Sequence, residues 1–468
     1  MHTFQEISPL YTDLYQLTMS QAYYKTGMHH QNASFDYFFR KIPFKGGYVV
    51  FAGLDDLLDL IENLKFSDDD LSFLSENGFD RKFLEYLKDF RFTGNIISAR
   101  EGDVVFPFEP VVRVEGTLIE TQLIETLLLN VINFQSLIAT KASRMRFAAG
   151  NRVLSDFGLR RAQSFGAMQA SRAAIIGGFD STSNVLAAKK YKIPFSGTMA
   201  HSFIESFGDE ISAFRAYSKA FPDDSTFLVD TYNTLFQGMP NAISVAKEME
   251  EDGHRLKGIR LDSGDLAYLS KKARDMLDYD GFTDVNIIVS NQLDEYVIKS
   301  LLEQKAPIDI FGVGTNLITG KPEAALDGVY KLAHVNDRNV LKISDNLQKT
   351  TLPGKKKILR YFDREGYFYA DAVVMKEELD AKRMIHPFEK HKSLGLESFK
   401  CEEILHTAMK DGTRTQTHES IQKIYERLKT RLNLLPQEHQ RFDFPHIYKV
   451  GISEKVMGIR DELLKQYS

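Results

Sequence analysis

A single cysteine, Cys401, in 468 residues rules out an intrachain disulfide and any four-cysteine zinc centre. A reducing cytoplasm suits such a chain. Charge of one sign is also missing: the formal net charge is −5 and the pI near 6.2, so no global field points to nucleic acid or a membrane surface. Long hydrophobic runs are absent. The most apolar helix candidate, 118–139, is interrupted by Glu120, Gln122, Glu125, Asn130, Asn133 and Gln135, whereas a membrane span wants about 20 predominantly apolar residues. The N-terminal segment has no basic stretch followed by an apolar one, so a signal peptide is not expected. Low-complexity segments and long internal repeats are missing too.

What remains is an ordinary globular composition. An apolar fraction of 43% allows large buried cores, and the length suits two or three domains at roughly 150 residues each. The first part, to about Thr117, is mixed: 11–24, 54–64 and 68–90 read as helices, 33–39 as a strand, and 95–114 as β-rich. From about Val153 the character changes. Short apolar runs at 193–195, 226–229, 257–261, 286–289 and 308–313 recur at the spacing of a β-α unit, with helix candidates at 202–220, 241–252, 265–278 and 292–304 between them. Gly253 and Gly281 are expected helix stops. Further strands near 152–156 and 178–181 move the expectation from an open sheet toward a parallel α/β barrel. After about Gly328 come β-like pieces at 330–335, 340–343, 358–362 and 367–374, then a helical tail that includes 420–432. Lys355-Lys356-Lys357 is expected to be a solvated loop.

The apolar runs end in polar residues: K-I-P-F-S-G-T-M-A-H (192–201), S-T-F-L-V-D-T-Y (225–232), L-K-G-I-R-L-D-S-G-D-L (256–266), V-N-I-I-V-S-N-Q (285–292) and I-D-I-F-G-V-G-T-N (308–316). A series of such endings is how a parallel α/β enzyme gathers a site on one face. Each ending admits two readings. Arg260, inside an apolar run, needs an anion: a ligand carboxylate, or an internal salt bridge to Asp262 or Asp230. Asp262 and Asp265 suit Mg²⁺, which prefers oxygen ligands; equally, Asp265 or Ser263 suits a helix cap. Gly312, Gly314 and Thr315 form either a phosphate cradle or a tight turn. His201 is a candidate for catalysis or a satisfied structural histidine. Arg160-Arg161 offers charge for an anion or forms salt bridges on a helix.

Taken in order, T-D-L-Y-Q-L-T-M (12–19), F-G-L-R-R-A-Q (157–163), G-G-F-D-S-T-S-N (177–184), G-T-M-A-H-S-F (197–203), R-L-D-S-G-D-L (260–266), I-V-S-N (288–291), G-V-G-T (312–315), G-V-Y-K-L (328–332) and T-L-P-G (351–354) closely resemble the nicotinate phosphoribosyltransferase family. The resemblance implies an irregular parallel α/β barrel of the type II phosphoribosyltransferase kind, with a second α/β domain built from both chain ends. The implied division is 1–120, the N-terminal part of that second domain; 121–328, the barrel; and 329–468, its C-terminal part with the helical tail. It further implies conversion of nicotinate and 5-phosphoribosyl 1-diphosphate to nicotinate mononucleotide and diphosphate in NAD biosynthesis, with Mg²⁺ and ATP as a co-substrate, in a cytoplasmic homodimer that shares its active sites.

Carried over by position, Tyr15 matches the tyrosine that packs on the pyridine ring, Thr198 a substrate-site hydroxyl and Arg260 the nicotinate-site arginine. Thr315 matches the phosphoribosyl-binding position, with Gly314 and Ser290 beside it in substrate binding. His201 falls on the histidine that ATP phosphorylates, and Asp262 is its catalytic companion. Arg160 and Arg161 are candidates for the diphosphate, and Asp262 and Asp265 for Mg²⁺. Two other readings remain open: a nicotinamide-using relative, and a non-catalytic barrel that binds a sugar phosphate.

Overall fold

The computed structural model describes residues 7–346 and 349–466. The N-terminal reading rests in part on residues 1–6, which lie outside the described residues. The chain forms two compact units, one from residues up to Thr140 together with those from Ala325 onward, and one from Lys141–Ala324.

The first unit interleaves both chain ends in its sheets. A seven-stranded sheet runs in the order Arg338–Asn339, Gly328–Val335, Asn32–Phe39, Val112–Thr117, Asn95–Ser98, His406–Lys410, Thr413–Arg414. A six-stranded sheet of the same unit comes wholly from the C-terminal part: Ser393–Gly395, Arg383–Ile385, Val450–Ser453, Phe368–Met375, Lys356–Phe362, Cys401–Glu403. The run 340–343 forms no strand. Lys355-Lys356-Lys357 is not a solvated loop either: Lys356 and Lys357 open the strand Lys356–Phe362. The Lys356 ammonium is buried 2.7 Å from Asp36 Oδ2 and donates to the Leu352 and Gly354 carbonyls. A lysine run looks solvated until a buried carboxylate, here 320 positions away in sequence, meets it in space.

Local chemistry divides two of the expected helices. The segment 68–90 becomes Asp68–Glu76 and Arg81–Lys88. Gly78 between them has φ +84°, and Asp80 starts the second helix by accepting from the Lys82 and Phe83 amides. Similarly, 202–220 becomes His201–Glu205 and Glu210–Ala220, with Gly208 at φ +78° and Asp209 capping the Ser212 amide at 2.8 Å. The run 118–139 is a short helix Leu118–Leu123 followed by Glu125–Ala149. Gly253 and Gly281 end helices as expected, at φ +82° and +87°.

The second unit carries a six-stranded, all-parallel sheet in the order Ser181–Thr182, Val153–Asp156, Ile310–Val313, Asn286–Val289, Gly258–Leu261, Thr226–Leu228. Helices follow these strands, among them Met239–Glu251, Leu266–Tyr279 and Glu295–Glu303. Strand alternation sends Ile259, Leu261, Ile287, Val289, Phe311 and Val313 to the helix-covered face, where they are fully buried, and turns Arg260 the other way. The expected strand at 193–195 is reduced to one parallel bridge between Thr182 and Phe195.

Beyond that bridge, no ladder joins Phe195 to the opposite edge strand, Thr226–Leu228, among the described residues. Side chains make the junction. His201, six residues past the bridge, meets Thr231, three residues past the other edge strand, at 3.1 Å. Arg260, on the next strand in, donates to Thr198 Oγ1 at 2.8 Å. The sheet is therefore curled until its two ends touch: an irregular barrel whose seam is closed by polar groups.

Candidate active site

Arg260 is the centre of the polar strand ends. Its side chain is only 13% exposed, so most of its N–H groups need partners within the protein. Nε donates to Ser290 Oγ at 3.0 Å, Nη1 to Thr198 Oγ1 at 2.8 Å and to the Met199 carbonyl at 3.3 Å, and Nη2 to Asp262 Oδ1 at 3.1 Å. A guanidinium has five N–H groups, so one on Nη2 stays open. The guanidinium carbon also stands 5.6 Å from the centre of the Phe157 ring, within cation–π range.

Ser290 reaches this position because Asn291 adopts φ +89°, a left-handed turn that costs a non-glycine residue on the order of 1–3 kcal/mol and collects at functional sites. Ser290 Oγ donates in turn to Asp262 Oδ1. The two acidic residues offered as partners for Arg260 thus separate in role. Asp262 is the ion pair. Asp230 instead holds the turn, accepting from the Asp262 amide at 2.8 Å and from Ser263 Oγ at 2.6 Å.

Asp265 caps the helix Leu266–Tyr279 by accepting from the Tyr268 amide at 3.0 Å. That favours the capping reading for one of its oxygens.

His201 opens the helix His201–Glu205, directly beside this cluster. Its Nδ1 lies 3.1 Å from Thr231 Oγ1, and its Nε2 faces Asp262 Oδ2 at 3.9 Å, beyond hydrogen-bond range. The ring is 40% exposed on its side chain, so an incoming group can reach it.

The remaining predicted residues fall in two places. The turn Gly314–Thr315 follows the strand Ile310–Val313. It neighbours the strand Val153–Asp156, whose continuation carries Arg160 and Arg161 on the 3₁₀ turn Leu159–Arg161. Both arginines are exposed, and neither enters an ion pair among the described residues. The salt-bridged-helix reading therefore fails for them. Tyr15 lies in the first unit, on the helix Leu14–Lys25, half-exposed with its hydroxyl 3.4 Å from Glu125 Oε1; burial, then the Glu125 charge, push its phenol pKa up.

Three supporting residues escaped the sequence reading. Phe157 packs so closely on Gly312 that a Cβ there would stand 2.4 Å from the ring, which gives the first glycine of G-V-G-T a steric reason. Thr231 is the hydroxyl partner of His201. Asp156 is fully buried, accepting from Ser171 Oγ and Gly158 N at 2.8 Å each and Thr182 Oγ1 at 2.7 Å; burial pushes its pKa up despite these donors. Phe157 lay within a quoted motif, but nothing local marks its ring as a wall of the site.

A parallel barrel with a buried, hydroxyl-lined arginine, an accessible histidine and glycine turns at its strand ends defines a class: α/β-barrel enzymes that act on small anionic substrates. Comparison with known proteins narrows it. A family model described as the nicotinate phosphoribosyltransferase (NAPRTase) family matches residues 153–386, its N-terminal domain model matches 10–133 and its C-terminal domain model 355–460. The chain is 45% identical over 458 residues to nicotinate phosphoribosyltransferase of Bacillus subtilis, covering 95% of this chain and 93% of the relative. It is 38% identical to that of Caenorhabditis elegans, covering 96% and 92%. The crystal structure of human nicotinic acid phosphoribosyltransferase superposes with a TM-score of 0.87 at 30% identity, covering 97% of this chain and 99% of that one. The chain belongs to the nicotinate phosphoribosyltransferase family.

Proposed function

We propose that this chain joins nicotinate to 5-phosphoribosyl 1-diphosphate, giving nicotinate mononucleotide and diphosphate, with ATP hydrolysis coupled through phosphorylation of His201. The observation that carries the reading is the Arg260 cluster: a nearly buried guanidinium held by Ser290, Thr198 and Asp262 with one N–H open. A pyridine carboxylate completes that donor set. Nicotinamide, with no anion, leaves the charge less well met, which is the basis of discrimination.

In the transfer, the pyridine nitrogen lone pair forms the bond to ribose C1 while the C1–O bond breaks and diphosphate leaves with its electron pair. Charge at C1 rises in an oxocarbenium-like state, so the protein's task is to align the partners and meet the leaving charge. Arg160 and Arg161 are the unpaired cations available for that, and the Gly314–Thr315 turn offers backbone N–H and hydroxyl donors to the phosphoribosyl group. Tyr15 is assigned to the pyridine face.

Mg²⁺ characteristically takes one or two carboxylates and completes its shell with water and substrate phosphates. Asp262, which keeps Oδ2 out of the arginine pair, and Asp265, 3 positions on, fit that pattern. No cluster of three or more metal-ligating side chains occurs among the described residues. When bound, the ion would neutralise diphosphate charge.

His201 offers its ring as the phosphoryl acceptor. In the tautomer that donates Nδ1–H to Thr231, the Nε2 lone pair is available; the N–P bond forms as ADP departs. The added charge then stands beside Asp262, and the resulting repulsion reorders the loop that carries Ser263 and Asp265.

The chain is further proposed to work in the cytoplasm as a homodimer with shared sites. Val185, Leu186, Phe195 and Phe236, more than 60% exposed on the barrel unit, are apolar surface that a subunit interface would cover. No helix among the described residues is long and apolar enough to cross a membrane.

The test is direct. Purified protein given nicotinate, phosphoribosyl diphosphate, Mg²⁺ and ATP is expected to yield the mononucleotide, with nicotinamide a poor substitute; no product at any enzyme concentration removes the reading. His201→Ala is expected to abolish ATP stimulation and acid-labile protein phosphate while some basal transfer survives. Loss of both activities together would give His201 a different role.

A further inference from the structure

Barrel interiors are filled for the most part by branched apolar side chains. Here the interior positions of three neighbouring segments are serines. Ser155 on the strand Val153–Asp156, Ser181 on Ser181–Thr182, and Ser196 just past the Phe195 bridge form a closed triangle. Ser155 and Ser196 Oγ are 2.8 Å apart, Ser181 and Ser196 2.8 Å, and Ser181 donates to Ser155 at 2.9 Å. Each hydroxyl carries one proton and two lone pairs, so the ring lets every member donate one bond and accept one. Ser155 and Ser181 are buried and face each other in register across a parallel pair. Ser196 is exposed and sits on the weakest segment of the barrel. Its backbone is held by the single Thr182–Phe195 bridge, through two hydrogen bonds of 3.1 Å.

That weakly held segment leads straight into the site. Thr198, which accepts from Arg260, is two residues beyond Ser196, and His201 is five beyond. Between them Gly197 has open space around it, with nothing within 4 Å of where a Cβ would stand. Packing therefore does not fix Gly197 itself, and the next packed side chain in the stretch is Met199. We infer that Ser155, Ser181 and Ser196 are positioning residues: their hydroxyl ring pins the start of the G-T-M-A-H segment and thereby sets where Thr198 and His201 stand relative to Arg260. The inference rests on the nicotinate-transfer reading for its kinetic consequence, and on the geometry alone for its structural one.

Removing any one hydroxyl breaks two of the ring's three bonds, so the single variants Ser155→Ala, Ser181→Ala and Ser196→Ala should resemble one another. The triple variant should be little worse than any single. Each is expected to raise the nicotinate KM, with a loss in kcat/KM on the order of 10- to 100-fold, the scale of a misplaced site group. Ser196→Thr, which keeps the hydroxyl at an exposed position, should restore it. Ser270→Ala is the control, since Ser270 is fully buried in the same unit but donates only to its own helix at Ala267. It should lower the melting temperature without moving the nicotinate KM.

A second readout needs no turnover. Backbone amides of 197–201 should exchange with deuterium faster in Ser155→Ala than in the unsubstituted chain or in Ser270→Ala. Unchanged exchange at 197–201 overturns the inference whatever the enzyme does. Faster exchange with an unchanged nicotinate KM leaves the ring a fold element and refutes its part in the site. Absence of any transferase activity in the unsubstituted protein strikes the functional reading instead, and the exchange result then decides the ring by itself.

Discussion

At the residue scale, Arg260 illustrates how much chemistry a residue type implies and how little of its geometry. That a guanidinium in the run G-I-R-L must be paired follows from the cost of burying charge. That the pair is Asp262, with Asp230 turned to the backbone of the next loop, does not. Both aspartates stand at the ends of adjacent strands, Asp262 two positions beyond the arginine and Asp230 just past the paired strand, and residue type does not say which one meets it. Arg260→Ala removes four hydrogen bonds and strands Asp262 against Ser290. Truncating one side of a buried charged pair costs about 2–5 kcal/mol, so kcat/KM for nicotinate should fall at least about 30-fold, with the KM for ATP moving far less. Arg260→Lys should recover little, because a lysine cannot span Ser290, Thr198 and Asp262 with one ammonium. A variant with nicotinate kinetics equal to the unsubstituted enzyme would count against carboxylate pairing. The same reasoning separates Asp265: its type allowed metal binding and capping alike, and the hydrogen bond to Tyr268 shows one oxygen already committed.

At the scale of elements, period and punctuation carried far. Strand ends at 260–262, 290 and 312–315 were legible because apolar runs stop abruptly there, and helix ends at Gly253 and Gly281 because only the left-handed region closes those turns. Failures occur where a single capping aspartate outweighs a continuing hydrophobic period, at Asp80 and Asp209, or where an element is completed by a distant partner, as at Lys356. The seam of the barrel is a further case. The segment 193–195 has strand composition, yet it pairs through one bridge, and the closure is left to His201–Thr231 and Arg260–Thr198. Gly312 gives a test at this scale. Alanine there would drive Cβ into the Phe157 ring at 2.4 Å, displacing the ring that faces Arg260. Overpacking of this kind costs about 1–3 kcal/mol, so Gly312→Ala should lower the melting temperature and weaken nicotinate binding together. Adding Phe157→Leu should restore stability and leave binding impaired, since the ring itself is then gone. Recovery of both in the double variant would show that Phe157 matters only as packing.

At the scale of the whole molecule, the chain divides its labour: Lys141–Ala324 carries the Arg260 cluster, while the unit built from both ends carries Tyr15 and a buried ionic network of its own. There Arg360, fully buried, grips Asp371 through Nε and Nη2, the latter at 2.6 Å, and Tyr448 donates to Asp371 at 2.8 Å. Glu109, also fully buried, accepts from the Phe106 amide at 2.9 Å through one oxygen, but among the described residues no donor bonds the other. Two carboxylates and one guanidinium buried together are one proton short of balance. Burial first, and then the Asp371 charge beside it, push the Glu109 pKa well above its ordinary 4.5, with Arg360 opposing. A proton on Glu109 supplies the missing hydrogen bond to Asp371. Because the folded-state pKa is the higher one, this group stabilises the fold fully below about pH 4.5 and loses that contribution as pH climbs through its folded value. Glu109→Gln keeps the shape and supplies an N–H where the proton stood, without the penalty for taking it up. The difference in melting temperature, variant minus unsubstituted protein, should therefore grow in the variant's favour from pH 5 to pH 8, measured by thermal unfolding in matched buffers. A difference that stays flat across that range would mean Glu109 is ionised in the core, and that Arg360 alone balances both carboxylates.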